Sequence, residues 1–178
     1  MKLSGRQVIK ADGETVWTAL LDPDVLKASV PGCTEISGSA EDGYEATVVQ
    51  KVGPVKATFK GSVVLSDMVA LQSLTLTGEG KGGAAGFAKG TADVRLELVD
   101  DTTILHYDVE AKVGGKLAQL GSRIIDGFAK KMADQFFENF STAVSEPDPS
   151  DDTEAEDHES DQSVGDTQKK GWFKRLRG

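Results

Sequence analysis

The sequence contains little of what most catalytic and metal-binding sites need. Its 178 residues include one cysteine, Cys33, and two histidines, His106 and His158. A single cysteine excludes an internal disulfide and is compatible with a reducing compartment. The spacing of a zinc site is missing, and neither histidine lies near Cys33 in the sequence to act as its base. We therefore predict no metal site and no catalytic residues.

Long hydrophobic runs are also missing. No apolar segment approaches the ~18–20 residues that a membrane-spanning helix needs. The first residues, MKLSGRQVIKADGE, lack the apolar core of a signal peptide. We expect a cytoplasmic protein whose contact with a membrane, if it has one, is peripheral.

Negative charge is concentrated near the C-terminus. The net charge is -9, and residues 146–166 hold ten acidic residues and no Lys or Arg. Residues 169–177 then hold five basic residues, whereas residues 1–145 hold 19 acidic and 15 basic residues. Because nucleic-acid binding needs a basic face to neutralise phosphates, this balance argues against a nucleic-acid partner.

These shifts predict three segments. Residues 1–145 are expected to fold as one domain. Residues 146–168 have the composition of a disordered acidic linker. Residues 169–178 form a basic, aromatic tip.

The N-terminal part of the domain begins with a strand over residues 2–10. Asp12 or Gly13 then begins a short helix that ends at Pro23, and Asp22 or Asp24 caps a second one that stops at Pro31-Gly32.

Residues 34–113 show the period-two pattern of strands, rich in Val, Thr and Leu. Val94, Leu96 and Leu98 are expected to face inward, and a turn is expected at Asp67-Met68. The predicted strands cover residues 34–39, 43–52, 55–66, 70–79, 87–99 and 103–113.

The period then changes to 3.6, from Lys116 to Val144. This predicts one continuous amphipathic helix of roughly 28 residues, about 40 Å long. The order of elements predicts an α+β helix-grip fold, in which a curved antiparallel sheet of six to seven strands wraps around the long helix. A curved sheet cannot touch a straight helix along its whole length, so we expect a cavity between them.

Eight apolar residues are predicted to line this cavity, although an ordinary core is the simpler interpretation of the phenylalanine stripe on the helix as a whole. They are Phe59, Phe87, Tyr107, Leu117, Leu120, Ile124, Phe128 and Met132.

The glycine-rich segment GEGKGGAAGFAKG at residues 78–90 invites comparison with a phosphate-binding loop. It lacks the required Gly-Lys-Ser/Thr spacing and no helix follows it. A hairpin whose small residues allow tight turns or close backbone contacts is the simpler interpretation. The alternative is a docking or cavity-mouth role, with Phe87 as the contact.

The tip places three apolar residues, Trp172, Phe173 and Leu176, on one face if it is helical. Aromatic residues suit the interfacial layer of a bilayer, and Lys and Arg are attracted to anionic lipid. A protein partner, nucleic acid or no role are the alternatives. The predicted membrane-binding residues are Lys169, Lys170, Trp172, Phe173, Lys174, Arg175, Leu176 and Arg177.

Four segments of the domain resemble CoxG, a family of carbon monoxide dehydrogenase subunits within the START/polyketide-cyclase (SRPBCC) superfamily. They are VPGC at residues 30–33, GGAAGFAKG at 82–90, VGGKLAQLGSR at 113–123 and AKKMADQFF at 129–137. The resemblance covers residues 1 to about 145.

The resemblance implies a non-catalytic accessory protein. Such a protein helps to bring a molybdenum hydroxylase of the carbon monoxide dehydrogenase type to the inner face of the cytoplasmic membrane. The resemblance also implies a quinone in the cavity as a possible ligand, with no intrinsic cofactor. A small-molecule carrier unrelated to any hydroxylase and an enzyme of the helix-grip class are the other classes.

Overall fold

The computed structural model describes residues 1–145, which form an antiparallel sheet with helices packed on its concave face. The strands are β1 (Lys2–Ile9), β2 (Cys33–Ser39), β3 (Gly43–Val52), β4 (Val55–Val69), β5 (Ser73–Lys81), β6 (Phe87–Val99) and β7 (Thr102–Gly114). The helices are α1 (Gly13–Leu21), α2 (Pro23–Ser29), α3 (Lys116–Gln119) and α4 (Ser122–Ser145).

The seven strands form one sheet in the order β1-β7-β6-β5-β4-β3-β2, and every neighbouring pair is antiparallel. Strands β2 to β7 follow one another as a meander, whereas β1 crosses to the far edge beside β7. The helices α1 and α2 form the connection between the two edges. This arrangement confirms the predicted helix-grip fold.

The two short helices begin at aspartate caps, as the sequence predicts. The Asp12 carboxylate accepts hydrogen bonds from the Thr15 backbone N–H at 2.8 Å and from the Thr15 hydroxyl at 3.1 Å. These bonds lower the pKa of Asp12 below its usual value, because they favour the charged carboxylate. The Asp22 carboxylate accepts from the Asp24 backbone N–H at 2.8 Å, and Pro23 occupies the first position of α2.

Helix α2 is held against α4 by a hydrogen bond from the exposed Asn139 to the buried Ser29. The Asn139 side-chain amide donates to the Ser29 carbonyl oxygen at 3.1 Å, while the buried Ser29 hydroxyl donates to the Val25 carbonyl at 2.7 Å. The hydroxyl and the carbonyl of the buried Ser29 are therefore both hydrogen-bonded, which offsets the cost of removing them from water. The contact fixes where α4 crosses the edge of the sheet.

The single long helix predicted from the sequence is wrong at its N-terminal end. The segment is divided into α3 and α4 by a break at Leu120 and Gly121, and Gly121 has a φ of 90°. An L-residue rarely adopts this conformation, whereas glycine adopts it at little cost. Apolar residues continue at helical spacing across the break, so the hydrophobic pattern alone does not show it.

No helix within residues 1–145 is long and apolar enough to cross a bilayer.

The turn predicted at Asp67-Met68 is also wrong. Strand β4 continues to Val69, and its register with β5 shifts between Ser66 and Val69, which marks a bulge. Asp67 has a φ of 49° and the reversal follows at Leu71, with a φ of 66°. An aspartate in the left-handed region serves a bulge as well as a turn, so the residue type does not distinguish the two.

The side chains of β6 point alternately inward and outward, as predicted. Val94 and Leu96 are buried, and Leu98 points the same way, with its side chain against Gly13 of α1. However, 52% of Leu98 is exposed. It lies at the end of the strand, where only the beginning of α1 covers it.

The break at Gly121 predicts opposite effects for two glycine-to-alanine substitutions. Gly121→Ala should lower the free energy of unfolding by about 1–2 kcal/mol, because alanine is strained at positive φ. Gly127→Ala, inside α4, should raise it by about 0.5–1 kcal/mol through helix propensity. At both positions the added methyl group meets open space, so steric clash does not enter the comparison. Urea unfolding monitored by circular dichroism measures both, and equal effects would contradict a break at Gly121.

Candidate functional site

The space between α4 and the sheet is filled by side chains at its two ends. At one end a large apolar cluster joins α1, the sheet and the C-terminal half of α4. Its buried members are Ile9, Val16, Ala19, Leu74, Val94, Leu96, Leu105, Phe137 and Phe140. At the other end a smaller cluster joins the β3–β4 hairpin, α3 and the start of α4. It contains Val52, Leu117 and Ile125, with Met1, Val55, Phe59, Val113, Leu120 and Phe128 packed against them.

Between the two clusters lies a cavity of about 460 Å³. This volume is within the ~300–1,000 Å³ typical of ligand-binding pockets. No Asp, Glu, Lys, Arg, His or Cys side chain from residues 1–145 lines it. The lining residues are Leu3, Leu20, Leu26, Val30, Pro31, Ile36, Tyr44, Ala46, Val48, Val63, Leu65, Leu74, Leu76, Ala92, Val94, Leu105, Tyr107, Val109, Met132, Ala133, Phe136 and Phe137.

The cavity exists because small residues occupy inward positions where the helix passes over the sheet. Ala46 on β3, Ala92 on β6 and Ala133 on α4 all line it. The backbone of α4 approaches α2 and β1 at the edges of the sheet more closely than the central strands. Short side chains therefore face a gap that the curvature of the sheet has already opened.

Two tyrosines supply the only polar side-chain groups that the described domain contributes to the lining. The Tyr44 hydroxyl donates to the Leu21 carbonyl at 2.6 Å, so its proton is already used within the fold. The Tyr107 hydroxyl makes no hydrogen bond within residues 1–145. Burial raises the pKa of Tyr44, with a further contribution from Asp22.

Tyr107 lies between the sheet and α4. Its ring stacks on Phe137, with 5.2 Å between the centroids. Its hydroxyl end extends across the neighbouring strand at Gly5, where a Cβ atom would lie 2.6 Å from the hydroxyl oxygen. Glycine at this position therefore makes room for the tyrosine.

The Tyr107 hydroxyl remains protonated at and above neutral pH. Burial raises the pKa of Tyr107 above its usual 10.0, Asp134 raises it further and Lys130 lowers it. Lys130 and Asp134 themselves form an exposed ion pair at 3.1 Å on α4. The ring of Tyr107 therefore lines the apolar space, while its hydroxyl lies beside the edge strand β1, near this ion pair.

The structure brings two of the eight predicted cavity residues, Tyr107 and Met132, to the cavity. Four belong instead to the smaller cluster beyond its end: Phe59, Leu117, Leu120 and Phe128. Two are exposed, Phe87 at 40% and Ile124 at 41%. The prediction placed the cavity under the start of one continuous helix, but the break at Gly121 folds α3 onto the sheet and closes that end.

Sequence reasoning missed the contributions of α1, α2 and the inward alanines. Leu20, Leu26 and Val30 line the cavity from the short helices. The signal for the alanines was present: Ala46 stands between the larger inward residues Tyr44 and Val48, and Ala92 comes just before Val94 in the inward row of β6. Small inward residues on facing strands are the pattern of a cavity.

A second concavity, of about 690 Å³, lies on the outer face of the sheet. Its walls carry both charge signs, including Lys27, Glu35, Glu45 and Lys60. Alternating charges on a solvent-facing sheet are typical of a hydrated surface. The interior cavity is the better candidate site, because it removes a ligand from water.

The residues with nucleophilic or metal-binding chemistry do not converge. The Cys33 thiol is half-buried and donates to the Glu35 carbonyl at 3.3 Å, and His106 pairs with Glu97 at 3.6 Å on the outer face. Within residues 1–145, no three His, Cys, Asp or Glu side chains are placed to hold a metal ion.

The glycine-rich segment is a hairpin, as the simpler interpretation predicted. A single turn of 3-10 helix at Gly83–Ala85 connects β5 to β6. Gly86 has a φ of 114° and passes so close to the Gly114 carbonyl that a Cβ atom there would clash. The predicted linker and tip, residues 146–168 and 169–178, lie outside the described residues, as do all eight predicted membrane-binding residues.

Comparison with solved structures supports the fold. A conserved protein from Geobacillus kaustophilus is 29% identical, with a TM-score of 0.76 over 82% of this chain and 95% of that chain. A START superfamily protein from Mycobacterium smegmatis is 12% identical, with a TM-score of 0.62 over 80% of this chain and 96% of that chain. At this identity the second likeness shows the fold alone.

Comparison of the sequence with protein families gives a more specific result. No curated protein matches the chain at a significant level. The model of CoxG, a family of carbon monoxide dehydrogenase subunits, matches residues 5–145, which is nearly all of the folded domain described above. This chain therefore belongs to the CoxG family and has a START-like helix-grip fold.

Proposed function

We propose that this protein is a non-catalytic accessory protein that holds an apolar, quinone-like ligand and attaches a molybdenum hydroxylase to the membrane. The hydroxylase is of the carbon monoxide dehydrogenase type. The observation that carries the proposal is the cavity between α4 and the sheet, whose exposed lining is almost entirely apolar.

The chemistry of the cavity fits a ligand that is mostly apolar and has a carbonyl group. Apolar walls favour a hydrocarbon or ring by removing it from water, at about 25 cal/mol per Å² of buried surface. A quinone carbonyl accepts a hydrogen bond, and the Tyr107 hydroxyl is a neutral donor at the pH of the cell. A fatty acid fits less well, because no cationic side chain of the described domain lines the cavity to hold its carboxylate.

The lining also supports a binding role more than a catalytic one. General acid–base or nucleophilic catalysis needs a titratable group within hydrogen-bond reach of the substrate. Two tyrosines are the titratable residues that residues 1–145 place in the lining, and the pKa of each is raised away from neutrality.

The partner and the location are proposed from the family and from the tip. The CoxG family is named for carbon monoxide dehydrogenase, and residues 169–177 combine five basic residues with Trp172, Phe173 and Leu176. We place the protein at the inner face of the cytoplasmic membrane, with this tip on anionic lipid.

A hydrophobic carrier that serves no hydroxylase is the second candidate, because the cavity alone supports it equally well. The two differ in the partner. Affinity capture of the full chain from cells that express a molybdenum hydroxylase should recover that enzyme; capture of the protein with its ligand and without the enzyme would favour the carrier.

Filling the cavity should weaken ligand binding. In Ala92→Phe, the added ring occupies the space between β6 and α4, and the affinity for a short-chain quinone should fall about tenfold or more, a loss of ~1.4 kcal/mol or more. Thr91→Phe is the matched control, since it adds a ring on the exposed face of the same strand. Fluorescence titration measures both, and unaltered affinity in the folded Ala92→Phe variant would place the ligand elsewhere.

Removing the Tyr107 hydroxyl should weaken binding of a quinone selectively. Tyr107→Phe loses one hydrogen bond to a carbonyl, worth about 0.5–1.5 kcal/mol, and leaves an alkane of equal size bound as before. Tyr44→Phe is the control: it leaves the Leu21 carbonyl without its donor and should cost about 1–3 kcal/mol of stability, with the preference for quinone retained. Equal loss for quinone and alkane would argue against a Tyr107 contact.

The tip should be required to bring the hydroxylase to vesicles. In a flotation assay with vesicles containing phosphatidylglycerol, the wild-type chain should carry the hydroxylase to the lipid fraction. Replacing both Trp172 and Phe173 with Ala should reduce this severalfold, because the tip then loses its apolar contact with the interface. High salt should weaken the remaining binding through screening. If the enzyme floats to the same extent with the wild-type chain and with the double variant, the tip has no role.

A further inference from the structure

One end of the outer face of the sheet is covered by lysines. Six of them point outward from β3 to β7 and are exposed. The side chain of Phe87 lies on the same face, directly beside Lys81 on the neighbouring strand. We call this surface the basic end; it consists of Phe87 and Lys51, Lys56, Lys60, Lys81, Lys89 and Lys112.

The lysines of the basic end stand directly opposite one another on neighbouring strands. The registers pair Lys51 with Lys56, Lys60 with Lys81, and Lys89 with Lys112, while the acidic Glu79 stands opposite Lys89 on its other side. Like charges in directly opposed positions destabilise a sheet. Three such pairs at one end are a cost to the fold, and they indicate that the positive charge is kept for a purpose other than folding.

Little within the described chain neutralises this charge. Glu79 pairs with Lys81 at 3.6 Å, and both side chains are more than half exposed. No other lysine of the basic end has an ion-pair partner within 4.0 Å among residues 1–145. The acidic counterpart, Asp93 opposite Asp108, lies further along β6 and β7. Lysines therefore predominate at this end of the face, in a domain whose overall charge is slightly negative.

Phe87 is the apolar centre of the basic end. It is 40% exposed, follows the β5–β6 turn and stands opposite Lys81 on one side and Gly114 on the other. Its ring covers Gly114, where a Cβ atom would lie 2.2 Å from it. It lines a shallow depression together with Lys81, Lys89, Glu79 and the turn. A partly exposed aromatic ring beside lysines has the composition of a contact with the interfacial layer of a bilayer.

We infer that the basic end is a second membrane-contacting surface, on the folded domain itself, which binds the headgroups of an anionic bilayer. All its cations are lysines, the compact and strongly hydrated charges that act on a diffuse anionic surface. Lysine is depleted at protein–protein interfaces, which favour arginine. Each lysine near an anionic leaflet strengthens binding about fivefold, and Phe87 reaches the interfacial layer.

This inference rests on the proposed function only in placing the protein at a membrane; it concerns other residues than the tip. It adds an orientation. With the basic end on the lipid and the acidic part of the same face turned away, the strands would stand at an angle to the bilayer, with the β3–β4 and β5–β6 hairpins next to it.

Charge reversal tests the surface in the full-length chain. Lys81→Glu with Lys89→Glu should lower the partition coefficient into phosphatidylcholine vesicles containing phosphatidylglycerol by about tenfold or more. Lys10→Glu with Lys131→Glu is the matched control, since it changes net charge equally at exposed positions outside the basic end; it should change the coefficient less than threefold. Equal losses in the two variants would overturn the proposal, because they would reflect net charge alone.

A site-specific label tests the orientation. In a Cys33→Ser background, a polarity-sensitive dye on Phe87→Cys should shift to the blue with anionic vesicles and not with pure phosphatidylcholine. The same dye on Val8→Cys, which is 56% exposed at the other end of the sheet, should not shift. A Phe87 shift caused by the hydroxylase and not by vesicles would overturn the proposal and assign the basic end to an acidic protein.

The two membrane contacts fail separately. If the label at Phe87 shifts while replacement of Trp172 and Phe173 has no effect on flotation, the domain surface is supported and the tip is refuted. If the tip is required but the label does not shift, the basic end has no lipid contact and the inference is wrong.

Discussion

The structure depends on how one straight helix crosses a curved sheet. Side chains of ordinary length bridge α4 and the sheet only near the two ends of the crossing, where the clusters around Phe140 and Leu117 form. In the middle the lining includes the short side chains of Ala46, Ala92 and Ala133, and a space stays open. The apolar cavity, the Tyr107 hydroxyl at its side and the close contact of α4 with α2 all follow from this geometry. The fold thus produces a binding site from apolar side chains and two tyrosines.

The strands and the short helices could be predicted from the sequence, because period two, aspartate caps and glycine–proline turns are local signals. The break at Gly121 and the bulge at Asp67 could not. A glycine can lie within a helix or adopt a positive φ, and only tertiary packing decides between these two conformations. An aspartate in the left-handed region has the same ambiguity.

The sequence predicted an apolar cavity between the helix and the sheet, but only some of its lining residues. Tyr107 and Met132 line the cavity, but Phe59 and Phe128 fill the cluster beside it. An apolar stripe on a helix shows which side faces the sheet and not how far away the sheet is. That distance depends on which facing residues are small. Here Ala92 is the informative residue, because its short side chain leaves space under α4. An alanine has no functional group that would mark it as part of a site.

A cavity of about 460 Å³ also makes this domain sensitive to pressure. Unfolding removes internal void volume, and pressure favours the state with the smaller volume. A ligand that occupies the cavity would supply the missing dispersion contacts of its walls and reduce the volume change of unfolding. In this respect the ligand would act as an exchangeable part of the hydrophobic core. The sensitivity of the domain to pressure would then depend on whether the ligand is bound.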